Sequence, residues 1–492
     1  MRTKSAQIVL LLFLTAPAYA KDQISESVVK VYSTLREPNY IRPWTKESSR
    51  EATGSGVILP GKRILTNAHV VGYASQVFVQ ANQSTERVPA KVKVYVPGLD
   101  MAILEVDDPA FFEKRPPLPL GDSLPAMKQT VSVYGYPMGG EQLSITQGVV
   151  SRIEYFRMPY DSGVVRIQVD AALNPGNSGG PAVSDGKLIG LVFSKFSTGE
   201  NIGYLLAVEE IRGLLQALEK GSYPGKYQLN EEVATTENEA LRAKLGLEKE
   251  AGVMIVKPFS DKSDYPLKRW DVILKIGDQP LDSQGNVKVL DELRLSYQYL
   301  VPKLASDGHV KLTIVRDRKT IEVSAPVRTT VDRVLPPLMG KYPRYFVYGP
   351  MVFTQATLEI GAAIAESRSG YTYTSYYKSP LVARLLDQPD FAGEEIVVLP
   401  HLLPHKTSKG YLPPAFAAVS RINGTKVRNL AHLVELLRDA TGEFVVVELA
   451  GPIEPLVFRR AELAAANDDI LADEGIRKQY SDDLENVWHK TK

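Results

Sequence analysis

The chain has 492 residues, 44% hydrophobic and 23% charged, with 58 Lys and Arg against 57 Asp and Glu for a net charge of +1. These proportions exclude a largely disordered chain and a polytopic membrane protein, and the balanced charge offers no overall field for nucleic acid or an acidic membrane. Cysteine is absent, which excludes disulfides, thiolate metal sites and cysteine nucleophiles, and about 150 residues per domain implies about three domains.

The first twenty residues read as an address. Arg2 and Lys4 precede the apolar run Ile8–Leu14, and Ala18-Tyr19-Ala20 closes it. That layout is a secretory signal peptide with cleavage expected after Ala20. The run is too short to span a membrane, which takes about 20 residues. Residues 21–222 follow as short strands: Gly56–Leu59, Ile64–Thr66, Gln76–Gln80, Val131–Tyr134 and Val164–Val169 are β-branched or aromatic runs bounded by Gly, Pro and Asn. Many such strands predict a barrel or sandwich. Val208, Ile211, Leu214, Leu215 and Leu218 recur at helical spacing, and Gly221–Gly225 reads as a linker.

A second unit is expected over 226–328, with a helix from Asn238 to Leu245, strands at Gly252–Val256, Asp271–Ile276 and Val310–Val315, and a helix around Val289 to Leu300. A third, over 329–465, repeats part of that pattern. Ala418–Val427 matches Leu274–Leu281 as strand, tight turn, strand; Asn429 is placed to cap a helix carrying Leu430, Leu433, Val434 and Leu437 on one face. The strand Phe444–Leu449 comes next. Residues 466–492 read as a charged, peripheral tail.

Asn174-Pro-Gly-Asn-Ser-Gly-Gly-Pro181 carries the strongest chemical signal. Glycines around Ser178 let the backbone expose the hydroxyl and converge amide groups on one point, where the oxyanion of a tetrahedral intermediate forms. Serine needs a base, and His69 is the one histidine among the first 300 residues. It directly follows a strand. A carboxylate has to orient the imidazole. Asp100, just before the apolar strand Met101–Val106, is favoured over Asp107, Asp108, Asp122 and Asp170, the last suited instead to bracing the serine loop. The order His69, Asp100, Ser178 is that of chymotrypsin. It argues against an α/β-hydrolase elbow, whose partners run Ser, acid, His.

Thr66–Val71, Leu99–Leu104 and Asn174–Pro181, with Gly54–Ile58 ahead of them, resemble the active-site blocks of the HtrA/Deg serine proteases, and the resemblance extends over nearly the whole chain. It implies a mostly β molecule: a chymotrypsin-like double β-barrel followed by two α+β PDZ-like domains. The third unit, through Tyr345–Phe353 and Ile422–Leu430, is similar to the divergent second PDZ of the plant Deg branch. The resemblance makes Ser178 the nucleophile, His69 the general base and Asp100 its orienter. It makes the N–H groups of Gly176 and Ser178 the oxyanion hole, and Leu191 and Phe193 the lining of the substrate pocket. It implies no cofactor and no metal. Its partners would be unfolded or misfolded proteins and further copies of the chain, as a trimer or a multiple of trimers, with no nucleic acid and no stable membrane insertion. Together with the signal peptide it points to a bacterial periplasm.

Some features depart from that pattern. Before Glu237–Arg242 a PDZ domain needs a glycine-containing loop to catch a peptide carboxylate, whereas Tyr227–Glu232 has no glycine and carries Glu231 and Glu232. An architectural role for this unit is therefore expected. An insertion over about 356–415 holds Tyr371, Tyr373, Tyr376 and Tyr377, either as a subunit contact or packed on its own domain. His401 and His405 have ligand-like spacing without an acidic neighbour. Tyr40 and Trp44 are either aromatic anchors for self-association or part of a loop, Arg36 to Arg50, near the active site.

Overall fold

The computed structural model describes residues 23–490 except 139, 159, 161–162 and 196–201; the expected signal peptide lies outside the described residues. Two closed six-stranded barrels come first. Strands β1 (Val28–Leu35), β2 (Arg50–Leu59), β3 (Arg63–Thr66), β4 (Ala74–Ala81), β5 (Arg87–Val96) and β6 (Met101–Val106) close in the order β1-β2-β3-β6-β5-β4. Strands β7 (Thr130–Gly135), β8 (Ser144–Arg157), β9 (Gly163–Val169), β10 (Pro181–Ser184), β11 (Lys187–Lys195) and β12 (Gly203–Ala207) close in the order β10-β11-β12-β9-β8-β7. Closure leaves no free sheet edge. All five short strands expected for this region fall inside these elements.

The barrels share a core. Val57, Leu65, Leu99 and Met101 of the first pack with Tyr134, Val183, Leu188 and Leu191 of the second. The helix Val208–Glu219 seals it with Ile211 and Leu214, as its spacing predicts. The linker is tied down: Lys226 Nζ lies 2.9 Å from both carboxylate oxygens of buried Glu210, which also accepts the Val165 N–H.

The second unit is a sheet in the order Glu232–Thr235, Val253–Lys257, Val272–Ile276, His309–Arg316, Lys319–Pro326. Asn238 caps the helix Glu239–Leu245 through the Leu241 N–H. The helix expected around Val289 to Leu300 is instead a hairpin, Asn286–Leu290 with Leu293–Ser296, continued by short helical turns from Tyr297 to Leu304. Leu293, Leu295, Tyr297 and Tyr299 alternate with exposed or half-buried residues, a period of two that a helix cannot bury on one face. Leu293, Leu295 and Tyr299 pack into the core of the second barrel beside Val131, Ile153 and Val165.

In the third unit the sheet runs Tyr345–Tyr348, Met351–Gln355, Val397–Leu399, Ala417–Ile422, Phe444–Leu449, Leu456–Arg459. Asn429 caps Leu430–Arg438 through the His432 N–H, and Leu430, Leu433, Val434 and Leu437 are buried. Three short helices, Leu358–Glu366, Arg368–Tyr376 and Pro380–Ala383, fill the insertion. Residues 466–492 are not a peripheral tail over their described part. The helix Arg460–Asp473 buries Leu463, Ala466 and Ile470, and Trp488 lies 5.0 Å from the Phe346 ring and 5.7 Å from Tyr348. The acidic residues line the outer side of an element whose apolar side completes the core. Among the described residues no helix is long and apolar enough to cross a membrane.

Candidate active site

β3 ends at Thr66, and the single-turn helix Ala68–Val71 presents His69 at the barrel surface. Asp100 ends the tight turn Pro97–Leu99 with φ 50°, its N–H held by Pro97 O. Aspartate is among the few residues that enter this left-handed region readily. The turn aims the carboxylate back at His69. Nδ1 of His69 lies 2.8 Å from Asp100 Oδ2, and the His69 N–H donates to Oδ1 at 2.9 Å. Buried Asn67 fixes the turn from the other side, its Nδ2 donating to Asp100 O at 2.9 Å. Burial alone would lower the His69 pKa, but the hydrogen bond and charge of Asp100 outweigh it and raise it above the ordinary 6.5.

The competing carboxylates are engaged elsewhere. Asp107 pairs with Lys91, Asp108 caps the turn at Ala110, and Asp122 pairs with Lys187. Asp170 Oδ1 accepts the Val149 N–H at 2.6 Å and braces β8.

The serine loop is seated against the first barrel. Ser178 O accepts the Ser55 N–H at 2.8 Å, and a Cβ on Gly54 would lie 3.2 Å from Ser178 O and 2.7 Å from Val70 Cγ1. Ser178 thus sits one glycine away from the residue following His69. Gly176 takes φ +99° with its β-position 2.4 Å from Tyr136 O, so no other residue fits there. Pro175 O is held by the Met138 N–H at 2.7 Å, and Gly176 O by Ser55 Oγ at 2.8 Å. With those carbonyls committed, neither the Gly176 nor the Ser178 N–H has an acceptor among the described residues. No hydrogen bond joins Ser178 Oγ to His69 among them either. The arrangement suits acyl transfer: an oriented imidazole, a hydroxyl on an adjacent loop, and free amides beside it.

Residues 54–191 match the family described as the trypsin-like peptidase domain, and residues 334–483 match the PDZ domain. Protease Do-like 2, chloroplastic, of Arabidopsis thaliana is 34% identical over 478 residues, 96% of this chain and 77% of that protein. Protease Do-like 4, mitochondrial, from the same plant is 34% identical over 433 residues, 86% of this chain and 79% of that protein. The chain belongs to the HtrA/Deg family of Do-like proteases. It is a serine endopeptidase of trypsin-like fold. Among solved structures, the HtrA-type protease AlgW in a variant with decapeptide shares the fold, with a TM-score of 0.50 and 23% identity over 62% of this chain and 95% of that one.

The substrate pocket of this HtrA/Deg chain requires one correction. Leu191 is 0% exposed inside the shared core, so it has no surface to offer a substrate; Phe193, 8% exposed, packs on Tyr204. Leu191 faces the first barrel across the shared core, while its neighbours Ile189 and Val192 pack within the second. Sequence reasoning missed other residues that shape the site. Ser55 bridges Gly176 O and the Tyr136 N–H, and its place between two glycines was the available clue. Tyr40, Tyr73, Tyr95 and Tyr160 surround His69 and Asp100. No local pattern links them, since they come from four separate segments.

In the first PDZ domain the loop ahead of the edge strand Glu232–Thr235 is engaged from within. The Gln298 side chain accepts the Leu229 N–H at 3.1 Å and donates to Leu229 O at 2.6 Å. Glu231 is buried beneath Tyr265, whose hydroxyl donates to it at 2.5 Å. Nor does Trp44 stand free as an anchor for another subunit. It packs against Val347, Val352 and Ile470 of the second PDZ domain, its ring 6.2 Å from Tyr345. Among the described residues no group of three potential ligands could hold a metal, and His405 instead caps the turn Lys406–Ser408.

Proposed function

We propose that this chain is an ATP-independent endopeptidase that degrades unfolded or damaged exported proteins by a Ser-His-Asp mechanism. The observation that carries the reading is the Asp100 carboxylate holding both the ring and the backbone of His69, opposite a serine loop whose Gly176 and Ser178 amides are unspent. An extended segment would lie in the cleft. Ser178 Oγ gives its proton to His69 and attacks the carbonyl, and the two amides stabilise the oxyanion. His69 then protonates the leaving amine, and water releases the acyl-enzyme by the same route.

Two further parts belong to this reading. The first PDZ domain acts as a strut between barrel and second PDZ domain, supported by the docking of its hairpin residues Leu293, Leu295 and Tyr299 in the second barrel. Export to a periplasm rests on the composition of residues 1–20, and self-association as a trimer or its multiples would need a surface other than Trp44. A second reading, an activator-gated protease or silent scaffold, is favoured by the missing Ser178–His69 hydrogen bond. Hydrolysis of unfolded casein by the mature chain, beside Ser178→Ala, separates them. Cleavage lost in the variant supports the protease. No cleavage by either protein, with Ser178 unreactive to a fluorophosphonate, supports the scaffold.

A further inference from the structure

Lys30, on β1, carries an ammonium group into the contact between the two barrels. The residue is 5% exposed, and lysine is almost never buried to that degree without partners. Its Nζ donates to Gly140 O at 2.9 Å and lies 3.3 Å from Glu141 Oε2, both on the chain between β7 and β8. The Glu141 side chain is largely exposed, so that ion pair is screened and weak. The charge-assisted hydrogen bond to the Gly140 carbonyl is the stronger anchor. On the near side Nζ lies 5.0 Å from the Tyr32 ring, which Arg87 also covers at 3.9 Å and whose hydroxyl donates to Gln80.

In the pairing of β1 with β2, Lys30 stands opposite Ser55. The two side chains grip one stretch of the second barrel at two points. Ser55 Oγ accepts the Tyr136 N–H at 2.8 Å and donates to Gly176 O, also at 2.8 Å. Lys30 holds Gly140 O, and the Gly140 N–H donates back to Pro137 O at 3.1 Å. Between these points the Met138 N–H donates to Pro175 O at 2.7 Å. Pro175 O and the Gly176 N–H belong to one planar trans peptide and point in opposite directions. Whatever fixes that carbonyl therefore aims that amide. The bond from Met138 turns the Gly176 N–H away from Met138, and no acceptor among the described residues takes it.

We propose that Lys30 is a positioning residue for the oxyanion hole: its ammonium, through Gly140 and Met138, holds the Pro175–Gly176 peptide with the amide turned to the reacting carbonyl. The inference rests on the Ser-His-Asp reading of the adjacent site. It gives the first barrel, beyond His69 and Asp100, a part in stabilising the oxyanion.

The test compares the parent with Lys30→Met, which keeps the reach of the side chain without its charge, and with Lys30→Gln, which keeps a neutral donor on a shorter chain. A cleavage site mapped in denatured casein supplies one peptide, used as substrate and as a boronic acid with boron in place of the scissile carbonyl carbon. Ser178 Oγ adds to the boron, its proton passes to His69, and one boronate oxygen takes the place of the oxyanion. In Lys30→Met the boronate Ki is expected to rise at least about tenfold and kcat to fall by a similar factor, with KM within about twofold; outright loss of an oxyanion donor costs about 10²–10³. Lys30→Gln should fall between that variant and the parent. Ki and KM do not depend on how much of the enzyme is folded, so partial unfolding moves neither. Unchanged Ki and kcat overturn the proposal. A lower kcat with Ki unchanged also overturns it, marking a role in folding alone, as does a KM that rises as much as Ki, marking lost substrate binding. If Lys30→Met gives no folded barrel, the same readings on Lys30→Gln decide. A parent protein that neither cleaves casein nor binds the boronate is a separate result, which rejects the protease reading itself.

Discussion

At the scale of single residues, Asp100 does more than orient a ring. Its two oxygens hold His69 through side chain and backbone together, so the histidine has little freedom to take another rotamer. The raised pKa has a direct kinetic consequence. The base must be neutral, and a raised pKa keeps it protonated to higher pH, so the acid limb of kcat/KM is expected above the 6.5 of an ordinary imidazole. Asp100→Asn removes the charge, which should move that limb down and cost on the order of 10⁴-fold in kcat. A pH–rate profile of both proteins checks this; a limb that stays in place would show that Asp100 does not set the His69 pKa.

Glu231 gives a second prediction at this scale. Burial raises its pKa, with the Tyr265 hydrogen bond opposing that rise in part, and its Oε2 has no partner. A carboxyl whose folded pKa is raised lends stability below its unfolded pKa and loses it as pH climbs through the folded value. Glu231→Gln should therefore gain in Tm relative to the parent as pH rises from about 4, near the unfolded glutamate value, towards neutrality. Parallel thermal melts across that range would show the two curves diverging; parallel curves would mean the carboxyl is not carrying the burial cost.

At the scale of elements, the hairpin of the first PDZ domain decides how that domain is held. Leu293, Leu295 and Tyr299 enter the core of the second barrel, and Tyr299 OH donates to Glu209 at 3.0 Å. Gln298, beside Tyr299, reaches back to hold both backbone groups of Leu229. One stretch of chain thus fixes the loop before the edge strand and docks the domain. Leu295→Ala should cost about 2–5 kcal/mol, as expected for a buried leucine. Calorimetry should then show the first PDZ domain melting apart from the protease barrels. A single unchanged transition would mean the hairpin contributes nothing to docking.

At the scale of the whole molecule, the second PDZ domain reaches back over the protease domain. It holds Trp44 and Tyr73, and brings Glu474 within 3.6 Å of Arg42. Its own core in turn depends on the C-terminal segment, since Leu463, Leu484 and Trp488 pack around Phe346 and Tyr348. Truncation after Ala465 is therefore expected to unfold this domain and raise hydrogen exchange across residues 36–50, with the barrels retained. Exchange unchanged in that loop would show that it stands without the domain above it.

Local sequence determined much of this protein. The short β-branched runs, the glycines that only the serine loop's close approaches explain, the order His69, Asp100, Ser178 and the Asn caps all encode their own geometry within a few residues. Tertiary structure decided what depends on partners distant in the chain. Helix or hairpin at 289–300 turned on which period found a buried surface, and the second barrel supplied one for period two. Whether 466–490 was tail or core turned on an apolar side that meets its partners more than a hundred residues earlier. Leu191 lost its place in the pocket because the first barrel packs over it. The tyrosine-walled cavity beside His69 carries no motif at all, because its walls come from separate segments brought together only by the tertiary fold.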